Sequence, residues 1–170
     1  MPYVSSKYYL CSQLMFDMRL FLIFLTIFAV SEIFAATPAQ TLIARNGSIK
    51  GAKKIEVSGA KMVFARPVLK RYPIGAMSES VDEVYVLNLK KVSPADLNAF
   101  MNEMNKVLRS YRYYGKSDSP DGLVDVYVHM KSDDLVDELV IFNPESFVVN
   151  SLIGEFPVNE LLKIDSKSDK

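Results

Sequence analysis

The chain is poor in the residues that carry most enzyme chemistry. Its 170 residues include one cysteine, Cys11, one histidine, His129, and no tryptophan. A single cysteine excludes an internal disulfide framework and a thiolate metal cluster. A lone histidine near the end of a predicted strand is more often a surface or packing residue than a catalytic base. The sequence also lacks the glycine patterns that bind phosphate and the His-Glu-x-x-His zinc pattern. We therefore expect no cofactor, no metal site and no enzymatic activity.

The chain also lacks a net charge, because 20 basic residues balance 20 acidic ones. This balance gives no overall argument for a nucleic-acid partner, and we expect none. Paired acids occur at Asp133-Asp134 and at Asp137-Glu138. Neighbouring side chains on a strand point to opposite faces, so we do not expect either pair to flank one glycosidic bond. A carboxylate-dependent glycan hydrolase, with its acids between Asp118 and Glu138, is kept as an alternative function.

The N-terminal region has the order of a secretory signal. Met18 and Arg19 precede an uncharged run from Leu20 to Val30, and small residues follow it. A membrane-spanning helix needs about 20 apolar residues, and this run ends too early. The pattern predicts a cleaved signal peptide over residues 1–39. The alternative is an uncleaved membrane anchor.

Small residues place the predicted cut between Ala39 and Gln40, with a cut near Ala35 or Ala36 as the second choice. Residues 1–17 lengthen the basic end, and a start of translation at Met18 is an alternative. Cleavage would leave a chain without cysteine, hence without a lipid-attachment site, and without a transmembrane span. We expect this chain in the periplasm or cell envelope.

Residues 45–71 form a basic segment in which a single acid, Glu56, accompanies eight basic residues. Those basic residues are Arg45, Lys50, Lys53, Lys54, Lys61, Arg66, Lys70 and Arg71. One interpretation is a binding surface for phosphate or anionic lipid headgroups. The interpretation that we favour is a solvated surface that partners the acidic residues between Asp118 and Glu160.

The first elements of the folded part are weakly marked, and the next is strong. Ile49 to Val57 is typical of a short strand, and Lys61 to Ala65 of a short helix stopped by Pro67. Arg71 to Ser80 is predicted as a loop. Val81 to Leu89 is rich in valine and leucine without clean alternation, which indicates a strand covered on both faces.

A long amphipathic helix is predicted to begin after Ser93. Ser93 serves as N-cap, Pro94 occupies the first helical position, and Asp96 lies where the helix dipole favours a carboxylate. An apolar stripe repeats at helical spacing, and Gly115 is the expected stop. The stripe consists of Leu97, Phe100, Met101, Met104, Leu108 and Tyr111.

An aromatic cluster at Tyr111, Arg112, Tyr113 and Tyr114 is predicted to end this helix. Three phenol rings and a guanidinium group could stack on a sugar or peptide, which makes these four residues the candidate ligand-binding site. The plainer interpretation packs the rings over the sheet edge with their hydroxyls in water. Residues 116–122 are predicted as a surface loop.

Three apolar segments between Leu123 and Gly154 predict an antiparallel meander. The short polar breaks at 131–134 and 143–145 can join antiparallel strands but are too short for a parallel crossover. Residues 157–164 then predict a short closing helix.

The chain resembles a family of small exported bacterial proteins, found mainly in Bacteroidetes and described as domain of unknown function 4252. The likeness lies in Lys61-Met62-Val63-Phe64, in Asp137 to Ile141 and in Ser151 to Leu161, within about Ile49 to Ile164. The resemblance implies an envelope-associated α+β domain with no established activity, so no functional residue is carried over. Some members resemble lipoproteins, but this chain lacks the required cysteine after its apolar run.

Together these patterns predict one α+β domain over residues 40–165, followed by a polar tail at 166–170. We expect an antiparallel sheet of four to five strands with one main helix on one face. The expected function is a non-catalytic binding module whose partner is an envelope protein or a glycan. The glycan hydrolase and anionic-lipid binding through residues 45–71 are the alternatives.

Overall fold

A six-stranded antiparallel sheet lies at the centre of the structure. The structure is a computed structural model that describes residues 36–165. The predicted apolar run of the leader, the alternative start at Met18 and the polar tail lie outside the described residues. The strands are β1 Lys53–Ser58, β2 Val81–Asn88, β3 Arg112–Ser119, β4 Gly122–Met130, β5 Leu135–Asn143 and β6 Val148–Pro157. The α-helices are α1 Pro38–Asn46, α2 Met62–Leu69, α3 Pro94–Val107 and α4 Val158–Asp165. The 3₁₀ helices are Gly59–Lys61, Pro73–Ser80 and Leu108–Ser110.

The strand order is β1-β2-β6-β5-β4-β3. Strands β3 to β6 form a meander, of which the short breaks between the apolar segments predicted β4 to β6. Strand β2 lies inside the sheet between β1 and β6, which agrees with its prediction as a covered strand. Because paired residues of antiparallel strands share a face, the pairing of Asn150 with both Val86 and Ile141 places all three on one face.

Helices cover both faces of the sheet, and each face carries its own apolar core. On one face α1 and α3 enclose the α1/α3 core, which includes Ile43, Leu87 and Phe100. On the other face α2, the 3₁₀ helix Pro73–Ser80 and α4 enclose the α2/α4 core, which includes Met62, Leu139 and Phe156. The prediction of one helix on one face is therefore corrected to helices on two faces.

Helix α3 begins where the sequence predicts it. The Ser93 side chain accepts a hydrogen bond from the Asp96 amide at 3.2 Å, as an N-cap should. Phe100 and Met104 of its apolar stripe are buried against the sheet. The predicted end of the helix at Gly115 is wrong, because α3 stops at Val107 and a 3₁₀ turn follows.

The sixth strand, β3, lies in residues predicted as a helix end and a loop. It pairs with β4 alone and forms one edge of the sheet. Polar side chains are usual on an edge strand, because it has a neighbouring strand on one side only. Ser119 and Gly122 pair across the two-residue connection Pro120-Asp121. Residues 112–122 are therefore an edge strand and a tight hairpin turn, which corrects the predicted four to five strands to six.

Helix α1 begins in the segment interpreted as the end of the leader, because Pro38 and Ala39 lie before the predicted cut. Thr37 and Gln40 form a capping box, in which the Thr37 side chain accepts from the Gln40 amide and the Gln40 side chain accepts from the Thr37 amide. Pro38 occupies the first helical turn, where its missing N–H costs nothing.

Helix α2 continues two residues beyond Pro67, so the predicted stop at this proline is wrong. Proline removes only the bond that its own nitrogen would donate. The Lys70 amide still donates to the Arg66 carbonyl at 3.0 Å, and this hydrogen bond keeps the helical turn that contains Pro67.

Candidate functional site: a polar pocket on the sheet

A pocket of about 360 Å³ opens on the same face of the sheet as the α2/α4 core. Its walls come from strands and connecting loops, and none of its lining residues belongs to a helix. The lining residues are Tyr72, Asn88, Lys90, Ser119, Asp121, Val124, Ile141, Asn143, Ser146, Val148 and Asn150. We call this site the polar pocket. It shows that this end of the sheet is a cleft and not a flat surface.

The floor of the polar pocket is built by the central strands. Asn150 of β6 lies between Val86 and Ile141, and Asn88 of β2 pairs with Val148. The Asn88 side-chain oxygen accepts a bond from the Lys90 amide at 3.0 Å, so it also shapes the turn after β2. The side-chain amide of Asn150 has no hydrogen-bond partner within residues 36–165.

One wall of the pocket is a hydrogen-bonded set of loop residues. The Tyr72 hydroxyl donates to Asp121 Oδ2 at 3.2 Å. Asn143 donates to the Asp121 backbone oxygen at 2.9 Å and accepts from the amides of Glu145 and Ser146 at 3.0 and 2.9 Å. Partial burial, followed by the nearby Asp121 carboxylate, raises the pKa of Tyr72 above its ordinary value. The Tyr72 hydroxyl therefore stays protonated and keeps donating to Asp121.

Two polar groups of the pocket are left for a ligand. The Asn150 amide has no protein partner among the described residues. The exposed Lys90 ammonium forms no ion pair within the described range. An amide and a cation beside the Tyr72 ring can hydrogen-bond a small polyhydroxylated molecule while a ring face packs on its carbon atoms.

Sequence reasoning did not identify these residues. A usable signal was the position of Asn150 between Val148 and Leu152, on the face of β6 where alternation predicts apolar side chains. A polar residue at such a position marks either a buried hydrogen bond or a polar cavity.

The candidate aromatic cluster does not form one surface. Tyr111 is buried in the α1/α3 core, whereas Tyr114 packs against the α2/α4 core on the opposite face. Arg112 and Tyr113 are exposed, and the Tyr113 hydroxyl donates to Asp125 at 3.2 Å. Ligand binding by these residues stays a prediction, but the structure does not bring all four together.

Tyr111 instead belongs to a buried network around Glu138. The Tyr111 and Ser151 hydroxyls each donate to one oxygen of the Glu138 carboxylate, whose residue is 0% exposed. The Ala39 amide of α1 donates to the Tyr111 hydroxyl at 3.1 Å. Burial raises the pKa of Glu138, and hydrogen bonds from Ser151, Tyr111 and Thr37 oppose that rise. Because Glu138 and Ser151 are fully buried, we assign this network a structural role that joins α1 to β5 and β6.

His129 lies beside this network and contacts Asp137. A bulge in β5 places Asp137 and Glu138 opposite His129, so regular alternation does not hold at this acidic pair. His129 Nδ1 lies 2.7 Å from Asp137 Oδ1, and the His129 ring packs on Tyr111 with centroids 5.1 Å apart. The His129 side chain is 29% exposed and does not line the polar pocket.

The acids proposed for a glycan hydrolase are dispersed. Of the residues between Asp118 and Glu138, Asp121 is the single carboxylate that lines the polar pocket. Asp125 bonds Tyr113, Asp134 accepts from Ser132 in the turn after β4, and Glu138 is buried. Glycosidases need two carboxyl groups on opposite sides of one bond. The polar pocket does not supply the second.

The basic segment does not pair with the acidic residues between Asp118 and Glu160 in the described structure. Its ion pairs join Arg45 to Glu103, Lys54 to Glu56, and both Arg66 and Lys70 to Glu79. The favoured interpretation of an internal partner at 118–160 is therefore wrong for these pairs. Among the described residues, the side chains of Lys50, Lys53, Lys61 and Arg71 have no ion-pair partner.

The predicted cut between Ala39 and Gln40 falls inside helix α1. Ala39 is buried, and the Gln40 amide nitrogen of the side chain donates to Glu83 at 3.3 Å. A cut there would remove the Thr37 cap, whereas the second choice near Ala35 or Ala36 would keep it. Cleavage itself stays a prediction.

Within residues 36–165, no group of three or more histidine, cysteine or acidic side chains is placed to hold a metal ion. In the same part of the chain, every helix is too short or too polar to cross a membrane.

Fold and pocket define a small α+β domain, with an antiparallel sheet covered on both faces and a polar cleft at one end. The chain belongs to the family described as a domain of unknown function, DUF4252, whose sequence profile matches residues 50–164. The resemblance drawn from the sequence is thereby confirmed. No curated protein and no solved structure matches this chain.

Proposed function

We propose that this protein is a non-catalytic binding module of the cell envelope and that its polar pocket binds a saccharide unit of a glycan. The observation that carries the proposal is the unpartnered Asn150 amide at the floor of a cleft in the sheet. Export to the periplasm or envelope is proposed from the leader pattern of residues 1–39.

The composition of the pocket supports a saccharide. Side-chain amides and hydroxyls match the donors and acceptors of sugar hydroxyl groups, and the Tyr72 ring offers an apolar face. The volume of about 360 Å³ lies near the lower end of the range of small-molecule sites, which favours one or two sugar units. The unpaired Lys90 ammonium favours an acidic sugar over a neutral one.

Binding can be tested by calorimetric titration of the full chain with glucose, N-acetylglucosamine, glucuronate and their disaccharides. We expect at least one saccharide to bind. Asn150→Ala should weaken that binding by tenfold or more, because the hydrogen bond between the Asn150 side-chain amide and the ligand is lost. Asn105→Ala, on the exposed face of α3, is the matched control and should bind as the wild type does.

Catalysis is the competing function, and the same samples distinguish it. Turnover of the disaccharides, seen as new reducing ends, would support the carboxylate-dependent hydrolase and contradict a binding module. Failure of every saccharide to bind would also refute the glycan proposal. Repeated capture of one envelope protein, lost on Asn150→Ala, would then make a protein the partner.

A further inference from the structure

Helix α2 carries an exposed apolar stripe. Val63, Phe64 and Val68 are 64%, 81% and 53% exposed, and Pro67 is exposed too. At about 100° per residue these four positions fall within an arc of roughly 140° on one side of the helix. Met62 and Leu69, which anchor the helix in the α2/α4 core, lie on the other side. The stripe is therefore the outer face of a helix that carries apolar residues on both its buried and its exposed side.

The neighbouring edge strand extends this apolar surface. Val57 of β1 packs against the α2/α4 core, so Ile55, two residues before it, lies on the same face of the sheet. Ile55 is 56% exposed. We define the α2 patch as Ile55, Val63, Phe64, Pro67 and Val68.

Unpaired cations flank the α2 patch. Lys53 lies two residues before Ile55 on the same strand face, Lys61 precedes α2 and Arg71 follows it. These three side chains have no ion-pair partner among the described residues. The acid that contacts α2 is Glu79, and Arg66 and Lys70 already neutralise it at 3.6 and 3.1 Å.

We propose that the α2 patch docks on an anionic lipid surface. Protruding apolar side chains surrounded by lysine and arginine are the pattern of helices that lie in a membrane interface, where the apolar face enters the headgroup boundary and the cations meet lipid phosphates. A lipid surface accepts a convex feature such as Phe64 without a matching groove. The inference is independent of the proposed saccharide site, because no residue of the α2 patch lines the polar pocket.

Vesicle flotation tests this proposal. The full chain is mixed with vesicles of phosphatidylcholine alone or with roughly 30% phosphatidylglycerol. We expect stronger binding to the anionic vesicles and a steep loss of binding as salt increases, because exposed charges are screened. Phe64→Ser should weaken partitioning roughly tenfold, since a buried phenyl ring is lost. Lys61→Ala should weaken it roughly fivefold.

Matched variants separate the α2 patch from other contributions. Leu123→Ser removes another exposed apolar side chain, and Lys106→Ala removes another exposed cation, and both should bind as the wild type does. Any contribution of the leader is the same in all variants and cancels in the comparison. The helix should survive Phe64→Ser because the side chain is solvent-exposed, and circular dichroism checks this.

Three outcomes would overturn the inference. Equal binding of wild type and Phe64→Ser would show that another segment holds the membrane. Equal binding to neutral and anionic vesicles would remove the role of the cations. Absence of vesicle binding, combined with a self-association in sedimentation equilibrium that Phe64→Ser abolishes, would make a second copy of the chain the occupant.

Discussion

Replacing Tyr111 with phenylalanine would remove a single hydroxyl that joins three parts of the fold. That hydroxyl donates to the buried Glu138 carboxylate of β5 and accepts from the Ala39 amide of α1 at 3.1 Å. The ring would keep its place in the α1/α3 core and against His129. Tyr111→Phe therefore isolates the hydrogen bonds from the packing.

The expected cost follows from the two groups that the variant leaves behind. A hydrogen bond to a charged group contributes about 1.5–3 kcal/mol net, and an orphaned buried amide costs about 1–3 kcal/mol. Fraying of the first turn of α1 would let water reach the Ala39 amide and reduce the second cost. We expect Tyr111→Phe to lower the free energy of unfolding by about 3 kcal/mol at pH 8.

The cost should depend on pH in a defined direction. Burial raises the pKa of Glu138 above its ordinary value of 4.5 in the folded state. Such an acid contributes stability that is fully present below the unfolded pKa and is lost as pH rises through the folded pKa. The Tyr111 bond opposes the rise of the Glu138 pKa, so removing the bond raises that pKa further. Tyr111→Phe should therefore cost more at pH 8 than at pH 5.

Urea unfolding of wild type and variant at pH 5 and pH 8 measures both quantities. Tyr127→Phe is the matched control, because Tyr127 packs against the same core and its hydroxyl has no hydrogen bond to any described residue. The control should cost less than about 0.5 kcal/mol. A loss below about 1 kcal/mol for Tyr111→Phe at pH 8, or a larger loss at pH 5, would refute the assigned role of the network.

Further predictions concern the pocket wall, the sheet and the leader. Asn143→Ala should lower the free energy of unfolding by about 2–3 kcal/mol in urea, because three hydrogen bonds of a buried amide are lost. Gly154→Ala should cost about 3 kcal/mol by the same measurement, since the added Cβ would lie 2.0 Å from the Ser80 carbonyl oxygen. Asn150→Leu should raise the unfolding midpoint while abolishing saccharide binding, which paired denaturation and calorimetry would show. If the leader is removed, mass spectrometry of the exported protein should place its first residue at or before Thr37, because Thr37 caps α1.

The sequence predicted the elements whose signals are local. Ser93 and Asp96 cap α3 through contacts three residues apart, and the stripe through Phe100 and Met104 follows the period of one helix. The meander followed from short polar breaks that permit one kind of connection. These elements needed no knowledge of distant neighbours.

The missed elements had signals that were misassigned or depended on distant pairing. Thr37 and Gln40 form a capping box, but the small side chains of Thr37 and Ala39 in the same segment match a cleavage site. The Pro-Asp-Gly turn at 120–122 is a known hairpin signal, yet β3 is polar because it is an edge strand. The polar pocket needs Asn88 of β2 beside Asn150 of β6, and the strands between them in sequence do not reveal that register.

The polar groups of the pocket are better explained by a ligand than by stability. At position 150 an apolar side chain would extend the α2/α4 core between Val86 and Ile141 and add about 1 kcal/mol from the area it buries. The chain instead holds an amide without a partner there, together with the buried unpartnered hydroxyl of Ser146. Functional sites characteristically give up local stability in this way, because a bound molecule supplies the missing partners. Asn150 lies at the floor of the cleft, so a small polar ligand can supply the partner that its amide lacks.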